Sequence, residues 1–120
     1  MSGKILVADD NPASRELIRE VLEMSGYDVI EAADGEAAVA RAREDPPDLA
    51  LVDIQMPRLD GYGVLRALRA DPRFRELRVV ALTAFAMQGD REQGMDAGFD
   101  GYITKPVDIT SLRNEIRRFL

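Results

Sequence analysis

The chain has 120 residues, 46% of them hydrophobic and 32% charged, with a net charge of −6, no cysteine and no histidine. This composition fits one globular domain with a single core, and it excludes disulfides, thiolate metal sites, imidazole catalysis and histidine-based zinc hydrolysis. The acidic balance argues against general binding to nucleic-acid phosphates, no apolar stretch approaches the roughly 18 residues that span a bilayer, and the run after Lys4 is too short for a signal sequence, so a cytoplasmic protein is expected.

The apolar run Lys4–Ala8, closed by Asp9-Asp10, predicts a first strand. A helix follows, with Asn11 as N-cap, Pro12 at the first helical position, Leu17, Ile18, Val21 and Leu22 on one face, and Gly26 at the stop. A second strand is expected at Asp28–Glu31, then a helix capped by Asp34 and ended by Pro46-Pro47. The third strand, Leu49–Val52, runs into Asp53; the helix after it is capped by Asp60, turns Leu65 and Leu68 inward and stops before Asp71-Pro72. Arg78–Leu82 precedes Thr83, a fourth helix is expected from about Gly89 to Ala97, and the brief strand Gly101–Ile103 precedes Lys105-Pro106. Asp108 precedes a last helix whose stripe is Leu112, Ile116, Phe119 and Leu120, with Arg113, Arg117 and Arg118 forming a basic patch on its solvated side.

Several strands are apolar on successive residues, as in strands buried on both faces. Alternation of strand and helix then predicts an α/β fold, a doubly wound parallel sheet covered by right-handed crossovers, with five strands and five helices in one domain over residues 1–120. In such sheets ligands bind beyond the carboxyl ends of the strands. That edge would gather Asp9, Asp10, Asp53, Thr83 and Lys105. Converging carboxylates need a proton or a cation between them, and an oxygen-only donor set favours Mg²⁺ or Mn²⁺. With a carboxylate nucleophile, a hydroxyl and a lysine, the parts suit phosphoryl transfer to an aspartate.

In order along the chain, Asp9-Asp10, Asp53-Ile54-Gln55-Met56-Pro57 with Asp60-Gly61, Ala81-Leu82-Thr83-Ala84, and Tyr102-Ile103-Thr104-Lys105-Pro106 resemble the receiver domain of two-component response regulators, the CheY-like family. The resemblance covers essentially the whole chain and implies a flavodoxin-like fold with strand order 2-1-3-4-5. It implies that Asp53 is the phosphoacceptor, that Asp10 and Asp53 ligate Mg²⁺ directly, Asp9 through water and Gln55 through its carbonyl, and that Lys105, Thr83 and the backbone N–H of Ala84 contact the phosphoryl group. A cis Lys105-Pro106 bond is expected, with Tyr102 as a switch aromatic that turns inward as Thr83 moves. Gln55 and Phe85, two residues beyond Asp53 and Thr83, are expected to govern water access and hence phosphoryl lifetime.

The implied partners are a sensor histidine kinase or histidine phosphotransfer protein, and a downstream protein that reads the fourth helix, fifth strand and fifth helix. No membrane or direct nucleic-acid contact is implied. A stand-alone receiver is expected, a signalling phosphoacceptor rather than an enzyme with an external substrate. Simpler readings exist: Asp9 or Asp10 could cap the first helix, Asp53 could be a turn residue, Tyr102 could be packing, and Phe85 and Met87 could be loop anchors. An aspartyl phosphatase would carry Asp-x-Asp-x-Thr, whereas Asp53-Ile54-Gln55 lacks the second acid. A flavodoxin-type carrier would need a Ser/Thr-rich first loop, where Asp9-Asp10 would repel a flavin phosphate.

Overall fold

The computed structural model describes residues 3–84 and 97–120. The strands are β1 (Lys4–Ala8), β2 (Asp28–Ala32), β3 (Leu49–Asp53), β4 (Arg78–Thr83) and β5 (Gly101–Thr104), and the helices α1 (Pro12–Met24), α2 (Gly35–Glu44), α3 (Gly61–Ala70) and α4 (Ile109–Phe119). All strand pairs are parallel, in the order β2-β1-β3-β4-β5. The helix expected from about Gly89 to Ala97 lies, apart from Ala97, outside the described residues, as do Phe85 and Met87.

The two sides of the sheet carry separate apolar layers. Alternation along β1 sends Leu6 and Ala8 into one layer with Ala38 and Val39 of α2 and Val64, Leu65 and Leu68 of α3. Ile5 and Val7 go into the other, with Ile18, Val21 and Leu22 of α1 and Leu112 and Ile116 of α4. This explains the successive apolar residues, since a strand covered by helices on both faces has no solvent side. Leu17 departs from its expected place on the packed stripe: it is 40% exposed, at the outer margin of α1.

Local chemistry sets the helix starts. Asn11 Oδ1 accepts from the N–H groups of Ala13 (3.0 Å) and Ser14 (3.1 Å), so the cap of α1 is Asn11 and the two aspartates before it are left for other work. Asp34, Asp60 and Asp108 cap α2, α3 and α4 through Ala37, Gly63 and Ser111. At the end of α1, Gly26 takes φ 93°, the left-handed turn that glycine adopts without steric cost.

Candidate functional site

Each polar residue of the site sits where a strand or its continuation emerges at the carboxyl edge. Asp53 and Thr83 are the last residues of β3 and β4, still paired in the ladder with Leu82 and Thr104 respectively. Asp9 follows β1, its N–H bonded to Ala32 O at 3.1 Å. Lys105 follows β5, its N–H bonded to Thr83 O at 2.7 Å. Asp9, Asp53 and Thr83 are the buried polar residues of the described chain, whereas Asp10 is exposed.

The arrangement centres on one ammonium group. Lys105 Nζ lies 2.8 Å from Asp53 Oδ2 and 2.9 Å from Asp9 Oδ2. The second oxygen of each carboxylate accepts a main-chain N–H, from Gln55 at 3.1 Å for Asp53 and from Asn11 at 3.0 Å for Asp9. Burial pushes the Asp53 carboxyl above its ordinary pKa, and Lys105 opposes that without overcoming it. Burial pushes Asp9 the same way, but Lys105, the Asn11 N–H and Ser14 together outweigh it and hold that carboxyl low. For Lys105, burial works against the charge, and the two carboxylates outweigh burial and raise its pKa.

Carboxylate oxygens of Asp9, Asp10 and Asp53 all lie within 4.8 Å of one another. Asp9 Oδ2 is sealed from solvent and, despite the nearby ammonium charge, has no aligned hydrogen-bond donor. An oxygen-only cluster with a buried, under-coordinated carboxylate fits a hard divalent cation. Beside it opens a depression of about 470 Å³ lined by Asp10, Asn11, Pro12, Asp53, Gln55, Ala84 and Lys105, room for a phosphoryl-sized group.

Of the residues singled out in the sequence, Asp9, Asp10, Asp53, Gln55, Ala84 and Lys105 therefore share this cleft or its wall. Thr83 is buried at its back, one residue before Ala84. The Lys105-Pro106 bond is cis. Tyr102 is already inward, 8% exposed in the layer with α2 and α3. Two residues escaped the sequence reading. Ser14 bears on Asp9 from the first turn of α1, and Arg15 Nη1 donates to Asp9 O at 2.7 Å. Helical side chains lean toward the helix N-terminus, and that geometry could have pointed to both.

A five-stranded parallel sheet in this order, with an acidic cluster and a lysine at its carboxyl edge, defines a response-regulator receiver. The chain matches the response regulator receiver domain family over residues 5–117 and belongs to it. It is 38% identical to the polar-differentiation response regulator DivK of Brucella ovis over 120 residues, 100% of this chain and 98% of DivK. It is 41% identical over 117 residues to RpaA of Synechocystis, a DNA-binding dual master transcriptional regulator; the match takes 98% of this chain and 48% of RpaA, about half of that relative's length. Among solved structures, the receiver domain of a sensor histidine kinase from Pseudomonas aeruginosa, with a magnesium ion coordinated in its active-site cleft, superposes with a TM-score of 0.90 at 38% identity, covering 99% of this chain and 98% of that one. The protein is thus a receiver domain of two-component signalling, a class whose partners are histidine kinases. Among the described residues no helix is long and apolar enough to cross a membrane.

Proposed function

We propose that Asp53 accepts a phosphoryl group from a phosphohistidine of a partner kinase or phosphotransfer protein, in a Mg²⁺-dependent reaction, and that the protein signals through the surface this changes. The observation that carries the reading is the placement of Asp53, a nucleophile 2.8 Å from a lysine ammonium and within 4.8 Å of two further carboxylates, at the wall of an open cleft. A carboxylate oxygen of Asp53 attacks phosphorus as the phosphorus–nitrogen bond to imidazole breaks, the bonding pair leaving with the ring nitrogen. Lys105 and the N–H of Ala84 stabilise charge on the phosphoryl oxygens, and Thr83 donates its hydroxyl once the group is in place. Asp10, Asp53, Asp9 through water and the Gln55 carbonyl would hold a divalent ion, which would supply the charge that lets an anionic phosphoryl donor approach three carboxylates. The protein acts as a signalling phosphoacceptor and has no external substrate to turn over.

The test is covalent labelling. Incubation with acetyl phosphate or phosphoramidate and Mg²⁺ should add one acid-stable, base-labile phosphate, detected by intact mass. Asp53→Asn should abolish it, as should excess chelator. Equal labelling of Asp53→Asn would remove Asp53 from the role, and undiminished labelling in chelator would remove the metal.

A further inference from the structure

The turn that carries Asp9 and Asp10 is fastened from a side the proposed chemistry does not use. Arg15, on the second turn of α1, donates from Nη1 to the main-chain oxygen of Asp9 at 2.7 Å. Its Nε donates to Glu31 Oε1 at 3.3 Å, and the other oxygen of the same carboxylate takes Arg19 Nη1 at 3.2 Å. The Arg15 side chain is 19% exposed, so this contact is largely shielded from competing water. Both main-chain groups of Asp9 are therefore held through β2. The N–H donates to Ala32 O directly, and the carbonyl is reached through Glu31, the residue before Ala32, by way of the guanidinium.

We propose that Arg15, braced by Glu31, is a positioning residue for the acidic cluster. It rests on the reading above that the cluster holds a divalent cation. The peptide unit is planar, so fixing the Asp9 carbonyl also fixes the nitrogen and Cα of Asp10, the point from which its side chain departs. A charge-assisted hydrogen bond to a carbonyl at the end of a strand, beyond its last ladder pair, sets that plane. Asp10 is exposed, so burial does little to hold it. The orienting contact thus comes from Arg15, which acts on the ligands through the main chain and is itself no ligand.

The sign of one measurement separates this role from simple electrostatics. A guanidinium beside a cation site repels the cation, so charge alone predicts that removing it tightens binding; loss of positioning predicts weaker binding, by about tenfold or more when an outer partner of a ligand is lost. The full chain would be titrated with Mn²⁺, free ion being followed by electron paramagnetic resonance, for the wild type, Arg15→Gln, Glu31→Gln, the double variant and Asp10→Asn. Amide resonances of Asp9, Asp10 and Asn11 would be recorded without metal, and thermal melts would report folding. The expected result is at least tenfold weaker Mn²⁺ binding in Arg15→Gln, a smaller loss in Glu31→Gln, no additional loss in the double variant, and metal-free shifts at Asp9 to Asn11 in each. Glu31 is on the edge strand and touches no proposed ligand, so its variant tests the brace even if Arg15→Gln folds poorly. Unchanged or tighter binding in both single variants, with Asp10→Asn still losing the ion, overturns the positioning role and leaves the cation site standing. Wild-type binding by Asp10→Asn overturns the cation site and the positioning role with it.

Discussion

Lys105 serves two carboxylates at once, and the two fare differently. Asp9 is held below its ordinary pKa, so its contribution to folding is present above the unfolded value of about 3.8 and is lost as pH falls through the lowered one. Lys105 is raised from 10.5, and its contribution is full below that value and lost as pH rises through the folded one. Asp53 has the opposite sign to Asp9. Its pKa is raised because burial outweighs the lysine, so keeping it ionised opposes folding above the raised value, and protonation relieves the cost as pH falls through it. With Asp53 ionised and no metal bound, the protein thus carries a buried charge that it would fold better without. Asp53→Asn should stabilise the metal-free protein by about 1 kcal/mol, a rise of roughly 4 °C in Tm. Melts of both proteins in chelator, stepped downward in pH, should show the gap closing as Asp53 takes up its proton. A lower Tm for Asp53→Asn at pH 7 would mean that the Lys105 contact outweighs burial after all.

At the scale of elements, glycine sets how closely the helices approach the loop after β3. A Cβ on Gly61 would lie 2.7 Å from both Asp53 O and Ile54 Cα, and one on Gly35 would lie 1.9 Å from Leu59 O. These obstacles are main chain, which cannot rotate away, so Gly61→Ala must push α3 off the end of the strand that carries Asp53. A loss of about 2–3 kcal/mol is expected, read as a lower urea midpoint at unchanged slope, together with slower labelling of Asp53. An unchanged midpoint would show that α3 has room to shift. The sequence made Gly61 visible as the residue after a cap, but its close approach depends on where the preceding loop runs. The same division holds elsewhere. Hydrophobic pattern located every strand but ended four of them one residue early: Ala32, Asp53, Thr83 and Thr104 are all in the ladder. Main-chain pairing is indifferent to side-chain polarity, and pattern reading is not. Capping chemistry placed the starts of α1, α2 and α3 correctly, because a cap is decided within three residues. The short 3₁₀ turn Pro72–Phe74 went unread; it buries Phe74, to 2% exposure, in a segment with no periodicity to signal it. The acidic cluster and Lys105 were legible because each residue closes an apolar run. Arg15 was not, since its partner Glu31 is 16 residues away and lies across α1 on β2.

For the molecule as a whole, the question is how an event at one edge reaches a surface that another protein can read. The two apolar layers share the sheet, and β4 and β5 supply residues to both, Ala81 and Tyr102 to the α2–α3 layer and Leu82 and Ile103 to the layer of α1 and α4, so a shift at their ends bears on α4 as well. Ladder register supplies the route. Tyr102 pairs with Ala81, and Thr83 stands two residues further along β4 on the same face of the sheet, diagonal to the tyrosine. Thr83 O also receives the Lys105 N–H, so any movement of the threonine toward a phosphoryl group is felt at the end of β5. Tyr102 is inward here, and a switch that works through it must change either the population of that inward state or the packing around it. Beryllofluoride with Mg²⁺, as a mimic of the phosphorylated state, should therefore shift the amide resonances of Thr83, Tyr102 and Lys105 and, through β5, those along α4. Thr83→Ala should retain labelling of Asp53 while the shifts at Tyr102 and α4 fall to a fraction of their wild-type size, because the nucleophile and the lysine are intact and the link between them and the tyrosine is lost. If Tyr102 and α4 keep identical shifts with and without beryllofluoride while Asp53 is saturated, the signal leaves the site by another face, and the diagonal from Thr83 to Tyr102 is packing alone.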